Sequence, residues 1–158
     1  MKLLLAAVLL AGTASNAQAE TPRASSLLGT WELDVARMPF PPDKRPKSVT
    51  LTYREADGGK WQTVLDVVGG DGRPIHAEVA YALDGQAVSG SGYPGVDMVA
   101  TQVPAPNVMV AAYYKENMPR TTRTYVVSPD GKVMTETVVW LNLNGKPEVT
   151  TSFFNRVK

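Results

Sequence analysis

The sequence predicts an all-β fold: a single antiparallel up-and-down β-barrel of about ten short strands, without a helical lid. Three observations predict it. Apolar and β-branched residues recur at period two in short runs, the spacing of half-buried strands. Asp57-Gly58, Asp71-Gly72, Asp84-Gly85, Asp130-Gly131 and Asn144-Gly145 each separate two such runs. Gly accepts the positive φ of a tight hairpin, and Asp or Asn caps it locally. After residue 19, no stretch of about ten residues or more has helical period. The links are too short for crossover helices, so neighbours are expected to pair antiparallel. Closure into a barrel removes both sheet edges. An open two-sheet sandwich is the alternative.

The elements follow in order. Lys2, an apolar run from Leu3 to Ala11 and Ala17-Gln18-Ala19 have the pattern of a secretory signal peptide over residues 1–19, with Glu20 starting the mature chain. The run is too short to span a bilayer, and no Cys at the cleavage site offers a lipid anchor. The expected location is periplasmic or secreted, soluble after cleavage. Residues 20–26 read as a flexible polar lead, and 27–158 as the barrel domain. The first run is 27–35. Pro39, Pro41, Pro42 and Pro46 then exclude a helix pair. The run 48–55 places Val49, Leu51 and Tyr53 on one face, and 60–68 does the same for Trp61, Thr63, Leu65 and Val67. Further runs fall at 75–82, 86–90, 97–103, 108–115, 120–128, 132–141 and 148–157. Ser128-Pro129-Asp130-Gly131 is the clearest hairpin turn. The Gly-rich stretch from Ser89 to Gly95 lacks the Gly-Lys-Ser/Thr of a phosphate loop and opens no helix, so it reads as a rim loop.

Composition narrows the chemistry. Removing the first 19 of 158 residues leaves 139, a length that buries roughly 68–70% of its unfolded surface without staples. With no Cys there is no disulfide, thiolate metal site or Cys nucleophile. Without Lys2, 15 basic residues balance 15 acidic ones. That leaves no basic field for nucleic acid or an anionic membrane. One His and no Cys argue against a zinc or iron site, and the Asp-Gly pairs lack calcium-loop spacing. No cofactor is expected. His76 shares a strand face with Glu78, but no nucleophile accompanies it, so no enzyme is expected either.

Two groups of residues carry a resemblance. At the start stand Gly29-Thr30-Trp31-Glu32-Leu33-Asp34, Met38-Pro39-Phe40-Pro41-Pro42 and Ser48-Val49-Thr50-Leu51-Thr52-Tyr53. Later come Asp71-Gly72-Arg73-Pro74-Ile75-His76, Tyr81-Ala82-Leu83-Asp84-Gly85, Ser128-Pro129-Asp130-Gly131-Lys132 and Phe154-Asn155-Arg156. Over residues 27–158 the chain resembles the lipocalin-like (calycin) barrels, in particular small exported bacterial ones. The resemblance implies that Gly29 and Trp31 open the first strand. It also implies that Arg156, on the last strand, lies across the Trp31 indole and shuts the barrel, a cation–π contact. It differs from fatty-acid-binding proteins in lacking a helix pair after the first strand, and from typical lipocalins in lacking a C-terminal helix and Cys.

Arg123 and Tyr125 lie two apart and share a face. If inward and without an acidic partner, Arg123 is expected to anchor the carboxylate or phosphate of an amphipathic ligand, with Tyr125 beside it. If outward, both are plain surface residues. Fatty-acid-binding barrels use an Arg-x-Tyr pair in this way, on the final strand. Trp61 and Tyr93 are the expected aromatic ligand contacts. The implied function is non-enzymatic binding of a small amphipathic or apolar molecule. The alternative is a protein-interaction or protease-inhibitor-type module with a protein partner, using the barrel surface or the N-terminal segment.

Overall fold

A computed structural model describes residues 25–157, so the expected signal peptide and most of the polar lead lie outside the described residues. The strands are β1 (Gly29–Leu33), β2 (Ser48–Ala56), β3 (Lys60–Val68), β4 (Pro74–Tyr81), β5 (Asp84–Ser89), β6 (Met98–Ala105), β7 (Val108–Lys115), β8 (Met118–Val127), β9 (Val133–Leu141) and β10 (Pro147–Arg156). They form one antiparallel sheet in the order β4-β3-β2-β1-β10-β9-β8-β7-β6-β5. The first and last strands pair, with Trp31 opposite Arg156. The sandwich alternative is thereby excluded.

Closure is nearly complete. Among the described residues no ladder joins β4 to β5, and a single bridge crosses the seam, from Glu78 of β4 to Ser91, just past the end of β5. Asp84-Gly85, expected as a turn, instead begins β5. Gly85 has φ +77°, and the β5–β6 register shifts between Asp84 and Ala87. Such a bulge bends a strand, and β5 leaves β4 here rather than pairing back along it. The β7–β8 hairpin turns on Glu116 and Asn117, both at positive φ. It lacks the Gly that usually marks such turns.

Between β1 and β2 the proline-rich stretch forms two single 3₁₀ turns, Val35–Arg37 and Pro42–Lys44. Arg45 holds this segment by donating from Nε to the Phe40 carbonyl (2.7 Å) and from Nη1 to that of Ala36 (3.0 Å). A meander places alternate turns at opposite ends. The β2–β3, β4–β5, β6–β7 and β8–β9 turns therefore lie with Leu27 and Trp31 at one end. The other end carries the 34–47 segment and the loop 90–97. Leu27, Trp31, Tyr53, Val127 and Met134 are fully buried and fill the first end. Ser25 and Ser26, read as the end of the polar lead, bond to the Pro106 carbonyl there.

Candidate functional site

The other half of the interior is not filled. A cavity of about 360 Å³ occupies it, a volume within the range of small-molecule sites. Its walls follow from strand alternation. On β2 to β4 the inward side chains are apolar: Val49, Leu51, Leu65, Val67, Ile75, Ala77 and Val79, with Thr63 and Tyr81 lower down. The facing wall mixes Val99, Met109, Ala111 and Phe154 with Thr101, Tyr113, Arg123, Tyr125, Glu136 and Ser152. One wall is greasy and the other carries a small polar cluster.

Arg123 and Tyr125 do point inward. Arg123 does not wait unpaired for an anion, however. Its Nη1 donates to Glu136 Oε1 at 3.0 Å, and Glu136 is only 6% exposed. The β8–β9 register sets Glu136 opposite Tyr125, one inward position along from Arg123. This corrects the expected role of Arg123 as an unpaired anion anchor. The guanidinium also lies 4.9 Å from the Tyr113 ring centroid. Tyr125 meets Tyr53 edge-on at 6.1 Å. Burial holds the hydroxyls of Tyr53, Tyr113 and Tyr125 above the usual phenol range. Burial also raises that of Tyr81, whose hydrogen bond with Thr63 opposes the shift. These phenols therefore stay protonated at neutral pH.

Several buried polar atoms have no partner: Arg123 Nε, Thr101 Oγ1, Thr121 Oγ1 and Asp97 Oδ1. Thr101 and Arg123 belong to residues that line the cavity. An unmet buried donor costs about 1–3 kcal/mol, so these atoms favour a polar ligand group.

Tyr93 lines the cavity from the loop 90–97, together with Gly90, Ser91, Pro94 and Val96. That loop lies against the β4–β5 seam. Ser91 N–H approaches the Glu78 carbonyl at 3.5 Å. Gly92 packs so tightly that a Cβ there would fall 2.1 Å from the His76 carbonyl oxygen. Trp61 does not line the cavity. It is 7% exposed and paired across from Tyr81 beside the β2–β3 turn, where its indole fills the closed end. The expected Trp61 contact is therefore corrected to a core residue.

Gly29, Trp31 and Arg156 build that closed end. The Trp31 indole N–H donates to the Leu27 carbonyl at 2.8 Å, and the Arg156 guanidinium sits 4.0 Å over the ring. Arg156 also donates to the carbonyls of Gly131 (2.6 Å), Leu28 (2.8 Å) and Ser26. His76 faces outward, with Nδ1 2.6 Å from Asp66 Oδ1. Among the described residues no cluster of His, Asp or Glu has metal-binding form. Sequence reasoning missed Glu136, although it falls in the inward phase of β9 with the fully buried Met134.

No protein-family model matches the chain, and no curated protein matches it. Solved structures do. A Schistosoma mansoni fatty acid binding protein in complex with arachidonic acid superposes with a TM-score of 0.56 at 13% identity, covering 85% of this chain and 98% of that one. A mutant of the fluorescent protein UnaG gives 0.55 at 14% identity, covering 84% and 97%. Wild-type UnaG gives 0.52 at 14%, covering 82% and 96%. The ten strands also exceed the eight of a lipocalin. The chain shares the antiparallel β-barrel fold of these proteins.

Proposed function

We propose that this protein binds a small, largely apolar molecule inside the barrel and performs no catalysis on it. The observation that carries this is the 360 Å³ cavity, apolar along β2 to β4 and sparsely polar opposite. Ligand sites are concave, mostly apolar and oriented by a few polar groups. Fold alone does not set function, but the similar fatty acid binding protein holds arachidonic acid, which supports an apolar cargo. Tyr93, Arg123 and Tyr125 contact the ligand in this reading, and the loop 90–97 covers it. His76, the one residue of acid–base type raised by the sequence, lies on the outer face with Asp66.

Titration with the neutral fluorophore N-phenylnaphthylamine tests this. The expected result is saturable emission enhancement at one site per chain. Leu65→Trp, which fills the apolar wall, is expected to abolish the enhancement while near-ultraviolet circular dichroism stays folded. An unsaturable signal, or one indifferent to Leu65→Trp, overturns the proposal. Export belongs to the same reading, supported by the Leu3 to Ala11 run and Ala17-Gln18-Ala19. Intact mass of protein recovered outside the cytoplasm is expected to correspond to a chain starting at Glu20, and retention of residues 1–19 would overturn export with cleavage.

A further inference from the structure

We infer that the ligand presents an uncharged hydrogen-bond-accepting head, such as an amide carbonyl or a hydroxyl, and that the cavity disfavours carboxylates and phosphates. The inference rests on the cavity reading above and specifies its ligand class.

Among the described residues, three charged residues border the cavity: Glu78, Arg123 and Glu136. The Glu78 carboxylate accepts from Gln62 Nε2 at 3.1 Å on the exposed outer face, so it is spent outside. Inside remain one guanidinium and one carboxylate, 3.0 Å apart. Their charges cancel. A buried anion is tolerated when a cation pairs with it and its other lone pairs are met. Arg123 has already given its charge to Glu136, and an incoming carboxylate would stand beside that like charge.

What the site leaves unmet is neutral hydrogen bonding. Thr101 pairs across from Ala111, and Ala111 from Arg123, so the three form one row over β6, β7 and β8. The middle residue is the smallest of the three, and it lines the cavity. The outer two carry the unpartnered Thr101 hydroxyl and Arg123 Nε–H. Strands lie about 4.8 Å apart, so a head seated over Ala111 lies between the two strands that carry these donors. A carbonyl oxygen, with two lone pairs, satisfies both. The rest of the ligand then lies against the apolar wall of β2 to β4.

Displacement of N-phenylnaphthylamine by decanamide, decanol and decanoate at neutral pH tests the inference, since these differ only in the head. Wild-type protein is expected to bind decanamide and decanol at least about tenfold tighter than decanoate, the scale of one hydrogen bond to a charged group. Glu136→Gln keeps the shape and frees the guanidinium charge, so it is expected to reverse the order in favour of decanoate. The double variant Arg123→Met with Glu136→Met removes both charges. It is expected to lose about tenfold for decanamide, measured against the variant's own affinity for the fluorophore. Should Glu136→Gln fail to fold, the wild-type order and the double variant still decide. Decanoate binding as tightly as the neutral heads, or decanol and decanamide failing to displace, overturns the inference alone. Failure of the fluorophore itself to bind overturns the cavity reading and the inference with it.

Discussion

Arg156 spends its whole guanidinium on the closed end. One face covers the Trp31 indole, and its N–H groups reach carbonyls of Ser26, Leu28 and Gly131. Those three belong to the approach to β1 and the β8–β9 turn, so a single side chain ties segments far apart in sequence. Trp31 is fully buried beneath it and donates to Leu27. Trp31→Ala is therefore expected to cost about 3–5 kcal/mol in urea unfolding, as for other large buried aromatics. A loss below about 1 kcal/mol would mean that the indole does not organise this end. On the outer face, His76 is the single His of the chain, so its titration is readable by NMR without assignment. The hydrogen bond to Asp66 raises its pKa from 6.5, with burial opposing slightly. Its stabilising contribution is thus fully present below pH 6.5 and fades as pH rises through the raised value. Asp66→Asn is expected to bring the midpoint down toward the ordinary value, and a wild-type midpoint at or below 6.5 would contradict the pairing.

At the scale of elements, the loop 90–97 replaces the missing β4–β5 ladder. It carries Tyr93, Pro94 and Val96 into the cavity wall and rests on the β4 backbone through Gly92. Gly92 has φ +86° and no room for a Cβ against His76. Gly92→Ala must therefore lift the loop from β4. The expected consequence is dissociation of bound N-phenylnaphthylamine at least about fivefold faster, the equivalent of about 1 kcal/mol of lost closure. Stopped-flow release and hydrogen exchange across 90–97 measure it together. Unchanged release with unchanged exchange would show that the seam is not the route into the barrel. The prolines between β1 and β2 matter in the same way. They leave two short 3₁₀ turns between β1 and β2, and Met38 and Pro46 of this segment line the cavity together with the loop beside the seam.

For the molecule as a whole, an internal cavity with unmet polar atoms is a reserve of stability that a ligand releases. A ligand that binds only the folded chain stabilises it by mass action, about 2.7 kcal/mol at a hundredfold excess over Kd. The urea midpoint is expected to rise accordingly with N-phenylnaphthylamine, and to stay put in Leu65→Trp. A midpoint indifferent to the fluorophore in wild-type protein would place its binding outside the folded interior.

Period-two alternation made the strands legible from residues alone. Lys60–Val68 and Val108–Lys115 fall where the alternation puts them, because facing is a local property of extended backbone. The pairing of Trp31 with Arg156 was legible through the resemblance that the two ends of the chain carry, and the structure shows it. That Arg123 and Tyr125 share a face is equally local. Which face is inward is not, and neither is the partner that Arg123 meets there. Glu136 reaches Arg123 only through the β8–β9 register, and the Asp84-Gly85 bulge opens a seam only because β5 has β6, not β4, to pair with. Trp61 went to the core and Tyr93 to the cavity for the same reason: an empty interior is the difference between the space ten strands enclose and the side chains that fill it, a quantity that exists only once all of them are assembled.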